Sequence, residues 1–206
     1  MQKVFSRLGA SGTGTNAFLG VSFLILAVLV TLVAAGEITA ARAEEATGRL
    51  DHLLVQPVGR SAWLGGRLLV AAAAVAAGGV IAGVFSWIAT TTQNAGVGLT
   101  NVLGAGLNIV PPAVCVLGVG ALAFGVWPRA ASIVVHGLLG WSLVIEVIGG
   151  VGALSHWVLD TSVFHQVASA PAVAPNWGTN AVLLALGVAG GAIGCATFCR
   201  RDLHGA

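Results

Sequence analysis

Charge is what this sequence most lacks. Only 8% of its 206 residues are Asp, Glu, Lys or Arg, against about 25% in ordinary soluble domains. So few charged side chains cannot coat a surface that faces water, and a soluble domain is excluded. Lysine occurs once, at Lys3, so the chain has no Gly-x-x-x-x-Gly-Lys phosphate loop, and any nucleotide chemistry must come from another polypeptide. The nine basic residues are scattered singly or in pairs; no basic stripe exists to neutralise nucleic-acid phosphates, and nucleic acid is excluded as a partner. The three cysteines all lie inside apolar stretches, which suggests small core residues and no disulfide framework. No small-residue cleavage site closes a short apolar run near the N-terminus, so the first apolar run reads as a membrane span and not as a signal peptide.

Apolar residues fill the space that charge leaves. They make up 57% of the chain, and the mean hydropathy is +0.95. A helical span needs roughly 20 predominantly apolar residues, and five such runs occur, at about 17–35, 63–90, 108–127, 132–151 and 180–197. A weaker helical piece at 99–107 precedes the third, and Pro111-Pro112 is expected to break or kink the chain there. The expected fold is an all-α integral membrane protein: one transmembrane domain over 1–206, with a loop at 36–62 and a second at 152–179. The first loop should carry a short amphipathic helix and the second an outer re-entrant or surface segment.

Orientation follows from the arginines, because short basic loops stay cytoplasmic. With the first span running inward, seven of the nine basic residues lie inside and only Lys3 and Arg7 outside. The N-terminus is then outside and the C-terminus in the cytoplasm of a cell whose inner membrane holds the chain. Glycines at four-residue spacing, Gly79 with Gly83, Gly187 with Gly191 and Gly190 with Gly194, would let helix backbones approach closely.

The loop at 36–62 holds four of the seven acidic and three of the nine basic residues. From Arg42 the polar residues Glu45, Arg49, His52 and Gln56 recur at steps of three and four, opposite Ala46, Leu50, Leu53 and Leu54. This is an amphipathic helical period, ended by Pro57 and Gly59. A solvated connecting helix or a helix lying on lipid would show the same period. Mixing Glu44, Glu45 and Asp51 with the arginines fits a protein partner better than a lipid surface.

The run Glu44-Glu45-Ala46-Thr47-Gly48-Arg49-Leu50-Asp51-His52-Leu53-Leu54-Val55-Gln56-Pro57-Val58-Gly59-Arg60 resembles the loop of type-2 ABC exporter permeases, in particular the polyketide-antibiotic (tetronasin-type) exporters. An acidic pair, Gly-Arg, an acidic residue, a Leu pair, Pro-Val and a final Arg recur there in that order. Gly125-Val126-Trp127-Pro128-Arg129 is similar to the family's turn between spans. The segment Trp157 to Pro171 is similar to its Ser-Pro-Phe-x-His-x-Pro stretch, with Val163 in place of the Pro and with Phe164 and His165 as the matching aromatic and imidazole. Cys199-Arg200-Arg201-Asp202-Leu203 is similar to its closing tail. Family proteins carry a further span and a homologous half in front, so the chain resembles most of the later half of a permease.

The resemblance implies a permease for lipophilic or antibiotic-like compounds, not itself an enzyme. It implies a separate ABC ATPase that holds ATP and Mg, with no cofactor in this chain, and a second permease half or a homo-oligomer. It assigns ATPase coupling to Glu44, Glu45, Gly48, Arg49, Asp51, Pro57 and Arg60. Beyond the resemblance, Glu146 lies inside the fourth span, roughly 20 Å along it at about 1.5 Å per residue. A carboxylate at such a depth marks a watery cavity or path, or else a local pair near the interface. Ser142, one turn earlier, shares its face. His156, Asp160 and His165 match no zinc spacing. A membrane scaffold without transport, and an intramembrane enzyme, are the rival classes.

Overall fold

The computed structural model describes residues 14–47, 59–151, 155–167 and 170–201. It is helical throughout its regular structure: α1 (Thr15–Ala46), α2 (Arg60–Thr92), α3 (Leu99–Asn108), α4 (Val110–Val126), α5 (Pro128–Val151), α6 (His156–Leu159) and α7 (Trp177–Arg200). Among the described residues, five stretches are long and apolar enough to cross a membrane: Phe18–Ala46, Arg60–Thr92, Leu99–Val126, Pro128–Gly149 and Trp177–Arg200. The chain is a multi-pass membrane protein, and its outer faces show why. Phe18, Leu69, Ile133 and Val188 all project from the bundle, an exterior that only lipid solvates well, and helices are the open-ended elements that satisfy their own backbone there.

Each span turns a stripe of small or branched residues inward. On α1 the main buried stripe is Leu19, Phe23, Ala27, Thr31, Ala34, Ile38 and Ala41, with Ala35 buried beside it. They recur at steps of three and four, and the Thr31 hydroxyl donates to the Ala27 carbonyl at 2.6 Å. On α5 the stripe is Ala131, Val135, Leu139, Ser142 and Ile145. α4 differs, since it is buried on nearly every side, from Pro111 to Gly125. It is the central post, against which α1, α5 and above all α7 pack.

Glycines set these contacts. A methyl group on Gly118 would land on the Gly187 carbonyl, and one on Gly190 would come within 2.9 Å of the Gly118 carbonyl. Gly120 receives Ile38 from α1 and Val135 from α5. Gly79 and Gly83 on α2 lie against Gly106 and Leu103 on α3, so that expected pair is a packing seam. On α7 the seam is Gly187, Gly190 and Gly194, whereas Gly191 touches only the tip of Leu68 at 3.8 Å.

One boundary differs from the sequence reading, and the expected break at the prolines is present. The loop expected from Gly36 is helix as far as Ala46. No breaker lies in that stretch, an isolated helical Gly costs only about 1 kcal/mol, and the Thr39 hydroxyl bonds back to the Ala35 carbonyl at 3.1 Å. α1 is therefore roughly 48 Å long at about 1.5 Å per residue, longer than a hydrocarbon core of about 30 Å, and its charged residues Glu37, Arg42, Glu44 and Glu45 all lie in its last turns. Residues 42–46 of the expected amphipathic helix are those last turns, and residues 48–58 lie outside the described residues. At Pro111-Pro112 the chain yields by one residue: α3 stops at Asn108 and α4 restarts at Val110, with the prolines in its first turn, where a missing N–H is harmless.

Candidate functional site

Every described arginine lies at one end of the bundle: Arg42 at the end of α1, Arg60 and Arg67 at the start of α2, Arg129 at the start of α5, and Arg200 and Arg201 at the end of α7. The polar extension of α1 rises among them and is tied twice. Arg67 reaches Glu44 at 2.6 Å and Glu37 at 3.6 Å; these two acids lie seven residues apart, two turns on one face of α1. Arg201 pairs with Glu45 and also donates to the Phe124 carbonyl at 3.1 Å, at the end of α4. Arg60 donates to the Arg201 carbonyl at 2.8 Å, which ties the start of α2 to the end of α7.

An aromatic floor lies beneath the charges. Phe198 stacks on Phe124 at 5.4 Å and meets Trp63 at 5.8 Å. The Arg201 guanidinium lies over both Phe rings, at 5.6 and 5.8 Å, and Arg67 over Trp63 at 5.5 Å. These rings exclude water from one side of each guanidinium, which strengthens its ion pair and raises the cost of losing the partner. Burial pulls the pKa of Arg201 below the usual arginine value, and Glu45 opposes that shift. The network is not saturated: Glu45 Oε2 is buried without a hydrogen-bond partner, and Arg67 Nε, also buried, has only the 3.6 Å approach of Glu37.

Of the residues implied for coupling, the structure thus places Glu44, Glu45 and Arg60 in one cluster, all engaged within the chain. Gly48, Arg49, Asp51 and Pro57 lie outside the described residues. Arg67 and Arg201 are the centres of the cluster; the sequence reading used both for orientation and Arg201 also as part of the family-like closing tail, and gave neither a coupling role. The available signal was Arg67 one helical turn after Trp63, and the paired arginines closing an apolar helix.

A second polar group lies at the opposite end, where the turn after α6 folds over α5. Ser142 is buried; its hydroxyl accepts from the Val163 N–H at 3.2 Å, and its carbonyl accepts from Ser162 at 3.3 Å. Trp141 donates to Thr161 at 3.1 Å. Phe164 is buried in the core and His165 is exposed. Glu146 has one oxygen buried without a hydrogen-bond partner, and His165 is close enough to act on it electrostatically. Ser142, Glu146, Phe164 and His165 therefore do come together, with Ser142 fastening the outer turn. Nearby, where α3 ends and α7 starts, buried Asn180 donates to Asn108 at 2.9 Å, a cross-helix bond that the sequence reading did not single out.

A family model described as "Multidrug efflux system permease Rv1217c, C-terminal domain" matches residues 1–199. The multidrug efflux system permease protein Rv1217c of Mycobacterium tuberculosis is 25% identical over 211 residues, covering 99% of this chain and 37% of its own length. The chain thus spans little more than a third of the curated relative it matches.

Proposed function

We propose a function from one premise: the chain belongs to the family of the C-terminal domain of the multidrug efflux system permease Rv1217c. It is the later membrane part of an efflux permease of the inner membrane, driven by a separate ABC ATPase. A second permease half or another copy of the chain completes the pathway. The exported compounds are lipophilic, and the resemblance of the motif at 44–60 supports a place near the tetronasin-type branch of type-2 exporters.

The observation that carries this reading is the clustering of all described arginines at the end where α1 carries its charged residues. Short basic connections stay in the cytoplasm, so that end meets the ATPase, with the N-terminus outside and the C-terminus inside. Residues 47–59 join two helices that the Arg67 and Arg201 pairs already hold together. When ATP closes the partner, motion delivered to this connection passes into α1, α2 and α7. At the far end, Ser142 and Glu146 beneath the Phe164–His165 turn form the exit of the path. A carboxylate with an open oxygen there provides a polar step for a leaving compound.

Single cysteines at positions 47 and 204 of a cysteine-free variant test the orientation. Both should resist a membrane-impermeant thiol reagent in intact cells, and a cysteine at position 10 should react. Labelling of position 47 from outside would place the cluster away from ATP and overturn the coupling.

A further inference from the structure

We propose that Arg67 and Arg201 are positioning residues that make the end of α1, the start of α2 and the ends of α4 and α7 one transmission unit; this rests on the ATPase-coupled reading above. Glu44 and Glu45 sit beside the connection that receives the partner's motion, and the family resemblance gives them to that partner. The geometry gives both of them to arginines of this chain. Arg67 holds Glu44 and Glu37, two acids on one face of α1, so it fixes the rotation of the extension as well as its distance from α2. Arg201 holds Glu45 while donating to the Phe124 carbonyl, and its own carbonyl takes the Arg60 donor. One residue at the end of α7 thus touches α1, α2 and α4.

Arginine suits this place because its planar fork serves a carboxylate and a carbonyl together while a face lies on Phe124 and Phe198. The pairing is also mostly withdrawn from water: the Arg201 and Glu45 side chains are 20% and 17% exposed. Glu45 Oε2 remains open and Arg67 Nε is met only by Glu37 at 3.6 Å, so the ties keep a spare acceptor and a loosely held donor and can re-form in a second arrangement as the helix ends shift. A tie with no spare group would resist the transition instead of carrying it.

Charge reversal separates a positioning role from a purely structural one. In the complete permease with its ATPase, Glu45→Arg and Arg201→Glu are each compared with the double reversal for membrane level, unfolding midpoint in detergent and lipophile-stimulated ATP hydrolysis, using the dye Hoechst 33342 as the probe. Each single reversal should lower stimulated hydrolysis by about 30-fold or more, the lower range for breaking a buried charge pair. The double reversal should recover most of it. Arg201→Lys should keep the protein in the membrane yet recover little stimulation, because the fork is lost. If the single reversals shift the unfolding midpoint while stimulation stays intact, the pair is a structural tie only and the inference fails. If both single reversals lose stimulation and the double reversal restores stability without stimulation, it also fails. A wild-type complex that binds no ATPase removes the functional reading itself, an outcome visible before any variant is made.

Discussion

Arg67 with Glu44 and Arg201 with Glu45 tie the end of α1 to α2 and α7, so removing either arginine leaves a part-buried carboxylate without its partner. Glu44 and Glu45 stood out as a pair in an otherwise apolar chain, and they are indeed in the polar cluster. Their partners did not stand out, because Arg67 and Arg201 meet them across 23 and 156 residues, and no periodicity reaches that far. Glu146 was legible as an acid inside a span, but its neighbour His165 comes from a turn whose return over α5 is set by Ser142 and Ser162. Glu146→Gln should insert and fold normally, since removing a charge lowers the insertion cost by about 2.5 to 3.5 kcal/mol at most. It should also alter transport of a lipophilic dye and the dependence of that transport on outside pH. Transport by the Gln variant that matches wild type at every pH would leave Glu146 as a fastening group for the outer turn.

At the scale of elements, hydropathy located all five spans but not their ends. The end of α1 was misplaced because Gly36 looks like a breaker in sequence, while a helix tolerates one glycine when its neighbours are strong helix formers. Glycines of identical appearance turn out to differ sharply. Gly36 has nothing within 4 Å of an added methyl group, whereas Gly118 would drive one into the Gly187 backbone. Gly36→Ala should therefore stabilise the protein by about 0.5 to 1 kcal/mol. Gly118→Ala should destabilise it by about 1 to 3 kcal/mol or more, through forced separation of α4 from α7. Unfolding midpoints in one detergent, read by the loss of helical signal, check both. Equal effects of the two substitutions would mean that α4 and α7 are not in backbone contact.

For the molecule as a whole, composition alone excluded a soluble domain, and the basic residues gave an end-to-end asymmetry that the fold sharpens into one cluster. The central place of α4 could not be read, because a helix apolar on every side looks the same whether lipid or protein surrounds it; what distinguishes it are glycines facing glycines on α7. In the proposed function, ATP delivered at the arginine end would drive a lipophilic compound towards the end capped by the Phe164 turn. In the proposed orientation, inside-out membrane vesicles carrying the complete permease and its ATPase would present the arginine end to the medium, and uptake of Hoechst 33342 into them tests the proposal most directly. The account predicts uptake that requires added ATP, persists after the proton gradient is collapsed, and falls in the Arg201→Glu variant. Uptake that proceeds without ATP and stops when the proton gradient is collapsed would contradict it.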